Sequence, residues 1–322
     1  MIFDKVINNI LERNIWTPTL GLGRSILAFG TLLTLVFNEV SVLFKSLGKE
    51  ELIIEKSAIA KVSLFEIMPL GPAKWLAVVL LIVVILGYLP RIMGVVHWWI
   101  SFSFINSATV IDGGDQITSI ITLLLIPVSL VDFRKNHWNK PITLTNEFND
   151  NLKQLIGFFS MISIKLQVAF IYFDAAIGKF SVNEWADGTA IYYWFTNPVF
   201  GINKLFASVL NPLLANKYFI VLSTYSVLLL EVLLFMAAVM SWQRRKYLLF
   251  VAILFHLSIV FIHGLASFFF AMAGCLVLYL VKWDNYKFIY SFKDLVLRNE
   301  RFGFLINLLD NHGSINSKST NQ

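Results

Sequence analysis

The fold is decided by residues 247–281, YLLFVAILFHLSIVFIHGLASFFFAMAGCLVLYLV, a run that contains no Lys, Arg, Asp or Glu. In lipid, backbone polar groups must be satisfied within the segment itself, so an apolar run of this kind forms helix. As one helix it would be about 52 Å long at ~1.5 Å per residue, whereas the hydrocarbon core of a bilayer is about 30 Å thick. We therefore predict two membrane-spanning helices that break near His263 and Gly264.

The rest of the chain has the same apolar character. Hydrophobic residues make up 57% of the 322 residues, charged residues only 14%, and the mean hydropathy is +0.71. A soluble domain carries about 25% charged residues. We predict an all-α fold, a multi-pass bundle of about eight transmembrane helices in the cell membrane. The spans predicted upstream of residues 247–281 are 20–37, 75–89, 93–111, 117–131, 155–173 and 219–240.

Lys and Arg fall in short clusters between the apolar runs, although the net charge is +6. A nucleic-acid surface would instead collect them along one exposed face, so we expect no nucleic-acid partner. With eight spans and a cytoplasmic N-terminus, the main basic clusters all fall on the cytoplasmic side, as the positive-inside rule requires. The C-terminus is then also cytoplasmic. The segments expected outside are 46–74, 112–115 and 181–217.

Composition also suggests three parts of the chain. Residues 1–15 mix charges with apolar residues at helical spacing and are predicted to form an interfacial N-terminal helix. Residues 16–285 form the transmembrane domain. Residues 286–322 form a cytoplasmic C-terminal segment, and its tail from residue 311, rich in Ser, Asn and Gly, is predicted to be disordered.

Three charged residues are predicted to lie inside the bilayer, namely Arg24, Lys165 and Glu231. Each costs at least about 2.5–3.5 kcal/mol there and needs a partner or a function. One interpretation is a structural Lys165–Glu231 pair that fixes helix packing. The other is a functional pocket. Lys165, Tyr172 and Lys179 share one helical stripe because they are seven residues apart, and Lys179 stands at the outer end, where it could act as a base or hold an anionic group.

Other chemistry is poorly supported by the sequence. His256 and His263 have no Cys, Asp or Glu at ligand spacing, so we favour hydrogen-bonded histidines in the core and predict no metal site. The chain lacks the GxxxxGK[ST], GxSxG and HExxH motifs, and Cys275 is its only cysteine. The residues identify no cofactor.

Three segments carry a resemblance to a known family. They are GLGRSILAFGTLLTL at 21–35, DGGDQ at 112–116, and the stretch 172–193 that begins YFDAAIGKF. The chain resembles the sporulation-delaying protein B family of the HTTM membrane-domain superfamily, from about residue 16 to about residue 285. That superfamily also includes the membrane part of vitamin K-dependent gamma-glutamyl carboxylase.

The resemblance implies roles for individual residues. Lys179 matches the carboxylase lysine that activates the quinol cofactor, and Glu231 and His256 match recurrent family positions. Together with the polar neighbours on the same helix, the candidate catalytic residues are Lys179, Asp174, Tyr172, Glu231 and His256. Gly114 and its neighbours stand where the carboxylase has a histidine, so glutamate carboxylation itself is not expected.

The family resemblance further implies a function. It suggests a membrane component that matures a secreted antimicrobial toxin peptide of a Gram-positive bacterium, a bacteriocin. The expected partners are the peptide precursor, a small companion protein of the same operon, and membrane lipid. Two alternatives remain open. One is a quinone- or lipid-linked enzyme with a carboxylase-like lysine base, and the other is a transporter or immunity-type binding protein that uses Lys165 and Glu231 as a relay.

Overall fold

The computed structural model describes residues 11, 14–44, 60–141, 145 and 147–283. Over these residues the chain is all-α, as the sequence predicts. The predicted interfacial helix at 1–15 lies almost wholly outside the described residues, and the segment 286–322 lies wholly outside them.

Fourteen α-helices are found in the described ranges, together with 3-10 turns at Ala60–Val62 and Ala237–Val239. In chain order they are α1 (Pro18–Phe37), α2 (Val40–Leu43), α3 (Leu64–Ile67), α4 (Leu70–Leu86), α5 (Pro90–Ser107), α6 (Gly113–Leu124), α7 (Ile126–Leu130), α8 (Phe148–Phe180), α9 (Asn183–Ala186), α10 (Ala190–Thr196), α11 (Lys204–Leu214), α12 (Lys217–Met236), α13 (Trp242–His263) and α14 (Ala266–Leu280).

Five helical stretches within the described residues are long and apolar enough to cross a membrane. They are Pro18–Phe37, Gly113–Leu130, Phe148–Phe180, Lys217–Val239 and Trp242–His263. Helices α4 and α14 are apolar but shorter. With 15 residues, α14 extends about 22 Å, which is less than the ~30 Å hydrocarbon core. Because five described stretches, and not eight, are long and apolar enough to cross a membrane, the number of eight spans stays a prediction.

The long apolar run at 247–281 forms two helices, as predicted. Helix α13 ends at His263, and Gly264 follows it with φ +77°, in the left-handed region. Glycine has no Cβ and adopts this conformation at little cost, so it is the common residue just past a helix end. Because α14 begins at Ala266, the two helices are joined by a very short connection.

Helix α1 links two apolar cores. Its first half, with Leu20 and Leu27, belongs to a core shared with α6, α8, α12 and α14. Its second half, with Ala28 and Leu35, belongs to a core shared with α3, α4 and α5. The last of the described helices, α14, packs directly along α1. Gly274 of α14 lies against the Leu27 side chain, where a Cβ would come within 2.7 Å of Leu27 Cγ. The first and last described helices are therefore in direct contact within the bundle.

Helix α8 has 33 residues and is longer than its predicted span of 155–173. At ~1.5 Å per residue it is about 50 Å long, which is about 20 Å more than a bilayer core of ~30 Å. The sequence prediction stopped at the edges of the apolar run, whereas helix formation continues through polar ends. Lys179 lies in the last turn of this helix, one residue before its end.

Candidate functional site

An ion pair joins the end of α8 to the C-terminal half of α12. Lys179 Nζ donates a hydrogen bond to Glu231 Oε1 at 2.7 Å and another to the carbonyl oxygen of Ala175 at 3.3 Å. The side chains are 24% and 9% exposed respectively, so the pair is largely removed from solvent. The pair forms because α8 and α12 pack side by side and bring residues 52 positions apart into contact.

The pair leaves some of its hydrogen-bonding capacity unused. Glu231 Oε2 is buried and has no hydrogen-bond partner among the described residues. An ammonium group has three protons to donate, and the two bonds above use two of them. The buried Trp185 ring of α9 lies 5.3 Å from Lys179 Nζ, at a distance typical of a cation–π contact. The site thus has one remaining Lys179 proton and the Glu231 Oε2 oxygen available for a ligand, next to the Trp185 ring.

A second buried pair lies further along the same face of α8. Tyr172 Oη and His256 Nε2 are hydrogen-bonded at 3.0 Å, and the two residues are 3% exposed each. His256 Nδ1 has no partner within the described chain. Tyr172 is seven residues before Lys179, which places it on the same helical face about 10 Å away along the axis. Four of the five predicted site residues therefore form two pairs along one stripe.

Asp174, the fifth predicted residue, is not brought to these pairs. Its side chain is exposed. Five helical residues rotate the chain by about 140° beyond a full turn, so Asp174 lies on a different face of α8 from Lys179. Asp174 was a candidate as a polar neighbour on the same helix, and closeness in the chain does not place two residues on the same helix face.

The predicted Lys165–Glu231 pair is wrong. Glu231 is paired with Lys179, which is about 21 Å from Lys165 along α8 at ~1.5 Å per residue. Lys165 Nζ instead lies 4.3 Å from the centre of the Trp283 ring. A relay through Lys165 and Glu231 loses its structural basis as well. Of the two histidines in the long apolar run, His256 is buried and hydrogen-bonded to Tyr172, as predicted. His263 is also hydrogen-bonded, through Nδ1 to the carbonyl oxygen of Phe200, but it is partly exposed and does not lie in the core.

Sequence reasoning missed a second charged cluster, in the loop after α7. Arg134 donates two hydrogen bonds to the Asp132 carboxylate, at 2.9 Å and 2.8 Å, in the bidentate arrangement typical of Arg and carboxylate. Its third guanidinium nitrogen donates to the carbonyl oxygens of His137 and Asn139. The Arg134 backbone N–H also donates to Asp132. This i to i+2 contact is an Asx-turn pattern, and the Asp-x-Arg spacing after an apolar run is the signal that could have revealed it.

Arg24 of α1 lies close to this cluster and is 1% exposed. Its guanidinium donates to the Pro90 carbonyl oxygen at 3.3 Å. The neighbouring His137 ring is hydrogen-bonded to Ser25 Oγ at 3.3 Å. Burial lowers the pKa of His137 well below its usual value, and the positive charges of Arg24 and then Arg134 lower it further. The ring is therefore neutral at physiological pH.

Over the described residues, these observations define an all-helical protein with five helices that could span a membrane, with one ion pair between two helices and another within a loop. The chain is 37% identical over 270 residues to the sporulation-delaying protein SdpB of Bacillus subtilis (strain 168), covering 83% of this chain and 82% of that protein. It is likewise 37% identical over 278 residues to the uncharacterized protein YitO of the same strain, covering 85% of this chain and 88% of that protein. No family model and no solved structure matches it. The chain belongs to the family of sporulation-delaying protein SdpB.

Proposed function

We propose that this protein is a multi-pass component of the cell membrane that matures a secreted antimicrobial peptide toxin. A small companion protein from the same operon would act with it. Membership of the SdpB family supports the pathway, since 37% identity extends over 83% of this chain. The five helices able to cross a membrane support the location.

The Lys179–Glu231 pair is the observation that carries the proposed site. A buried ion pair whose groups are all satisfied needs no ligand, but one carboxylate oxygen of this pair has no partner among the described residues. An unsatisfied buried acceptor costs about 1–3 kcal/mol, and more when it is charged. A bound group that donates a hydrogen bond would recover this cost.

A peptide backbone fits both free positions. Its N–H can donate to Glu231 Oε2, and its carbonyl oxygen can accept the remaining Lys179 proton. The Trp185 ring provides an apolar surface beside them. In the orientation set by the positive-inside rule, the end of α8 and the 181–217 segment face outward, so a secreted precursor reaches this pair from the outer side.

The test is a deletion of the gene in a strain that produces the peptide, followed by mass spectrometry of the mature peptide in the medium. We expect the mature peptide to disappear and to return when the wild-type gene is supplied. Lys179→Ala and Glu231→Gln are expected not to restore it. The matched control is Lys204→Gln, at an exposed lysine of α11 that should restore it fully. Normal levels of mature peptide from the deletion strain would refute the proposal.

A second candidate is a membrane enzyme in which Lys179 acts as a base. The 2.7 Å contact favours it, because Lys179 can pass a proton to Glu231 and leave a neutral amine beside a neutral acid. The amine then takes a proton from the substrate. Lys179→Arg separates the two candidates, since arginine keeps the positive charge and the hydrogen bonds but does not act as a base. Partial maturation by this variant indicates binding and positioning, and complete loss with normal protein levels indicates base catalysis.

A further inference from the structure

Helices α12 and α13 follow one another in the chain but leave a groove between them. Helix α12 packs mainly on α8, and α13 packs mainly on α14. The space between α12 and α13 has a volume of about 420 Å³, within the range of ~300–1,000 Å³ typical of ligand pockets. Its walls are mostly apolar and include Leu229 and Leu233 of α12 and Val251 of α13.

One end of this groove is basic. Arg244 lines the groove near the junction of the two helices, and Arg245 and Lys246 follow it in the sequence. The three residues lie in the first turns of α13, where the positive end of the helix dipole favours an anion. None of the three forms an ion pair with a carboxylate among the described residues.

We propose that this groove binds an anionic phospholipid. The phosphate lies at Arg244 and the N-terminus of α13, and one acyl chain lies along the apolar walls toward Ser226 and Val251. A free phosphate would use only the basic end, whereas a phospholipid uses both the charge and the apolar length. Basic pockets between transmembrane helices bind anionic headgroups in this way. The inference is independent of the proposed maturation of a peptide, because the groove and the Lys179–Glu231 pair share no residue.

The test uses the purified full-length protein in detergent, titrated with phosphatidylglycerol or with phosphatidylcholine of the same acyl chains. Native mass spectrometry counts the bound lipid. We expect phosphatidylglycerol to bind at least about five-fold more tightly, as one nearby basic charge provides. Arg244→Gln should remove this preference. The matched control is Arg91→Gln, at an exposed arginine in the first turn of α5, which should keep it.

Two further variants test the apolar part of the site. Leu229→Trp fills the groove from a side chain that is 60% exposed, so it should weaken phosphatidylglycerol binding without disturbing packing. Leu222→Trp is the control on the same helix, 71% exposed and outside the groove, and should bind normally.

Several results would overturn the proposal. They are equal binding of the two lipids, a preference that survives Arg244→Gln, and normal binding by Leu229→Trp. Full competition by glycerol phosphate would identify a free-phosphate site instead. A dimer that forms without lipid and is lost in Leu229→Trp would identify a second copy of the chain as the occupant.

Discussion

The two buried ion pairs found among the described residues differ in how completely their groups are satisfied. In Asp132–Arg134 the side chains are 0% and 3% exposed, and every guanidinium nitrogen and both carboxylate oxygens have partners. In Lys179–Glu231 the lysine is 24% exposed and one carboxylate oxygen has no partner within the described chain. The first pair is local and closed, and it has no group free for a ligand. The second joins distant elements and stays open, as a binding site requires.

The largest effect on stability is expected from breaking the Asp132–Arg134 pair, whose polar groups all have partners. Asp132→Ala leaves Arg134 as an uncompensated buried charge, and removal of one partner of a buried pair costs about 3–5 kcal/mol. Thermal unfolding of the purified protein should show a large fall in Tm or no folded protein. The half-exposed Asp150–Lys153 pair provides the control, since Lys153→Ala should change Tm little. Similar small shifts for both variants would mean that the closed pair is not a structural anchor.

Variants of the Lys179–Glu231 pair should separate its contribution to stability from its contribution to peptide maturation. Lys179→Ala leaves Glu231 without its partner and is expected to cost about 1–3 kcal/mol. The double variant Lys179→Met with Glu231→Leu removes both charges, and we expect its stability to return to within ~1 kcal/mol of the wild type. Peptide maturation should stay absent in the double variant. A double variant that regains both Tm and maturation would show the pair to be structural only.

His137, beside the closed cluster, should make stability depend on pH. Its folded-state pKa lies below its unfolded-state pKa of ~6.5, so the unfolded chain binds the proton more readily. This contribution to stability is present above pH ~6.5 and is lost as the pH falls below it, by up to about 1.4 kcal/mol per pH unit. Tm measured between pH 7.5 and pH 5.5 should fall more for the wild type than for His137→Gln. If Tm falls equally for the two proteins, the conclusion that burial lowers the pKa of His137 is contradicted.

The smallest effect is expected at the second pair on α8. Tyr172→Phe removes the hydrogen bond to His256 and keeps the ring, so it should cost about 0.5–1.5 kcal/mol. A thermal melt detects this as a shift of a few degrees. Phe173→Leu is a matched control on the adjacent, more exposed position, and should shift Tm less. If Phe173→Leu lowers Tm more than Tyr172→Phe does, the Tyr172 hydroxyl is not what holds its ring in place.

The sequence predicted well what depends on local composition. The apolar runs located the main helices, and the break at His263–Gly264 followed from the length of the run compared with the thickness of a bilayer. The seven-residue spacing placed Tyr172 and Lys179 on one stripe. These features are fixed by helix geometry, which a single segment determines alone.

The prediction failed where the partner comes from another element. Lys165 and Glu231 were paired because both are near the centres of their predicted spans, but depth was judged from span edges that the 33-residue α8 exceeds. The extra length of α8 brings Lys179 level with Glu231. The Asp132–Arg134 cluster was missed because it lies in a loop, where apolar periodicity gives no signal.

The packing of α14 along α1 has a consequence for how the protein is made. About 230 residues separate the end of α1 from the start of α14. Ribosomes add about 5–20 residues per second, so on the order of 10–50 s pass between the synthesis of α1 and the synthesis of α14. During that interval the small-residue face of α1 that receives α14 has no native neighbour. During synthesis, α1 therefore stays without this neighbour until the fifteen residues of α14 have been added.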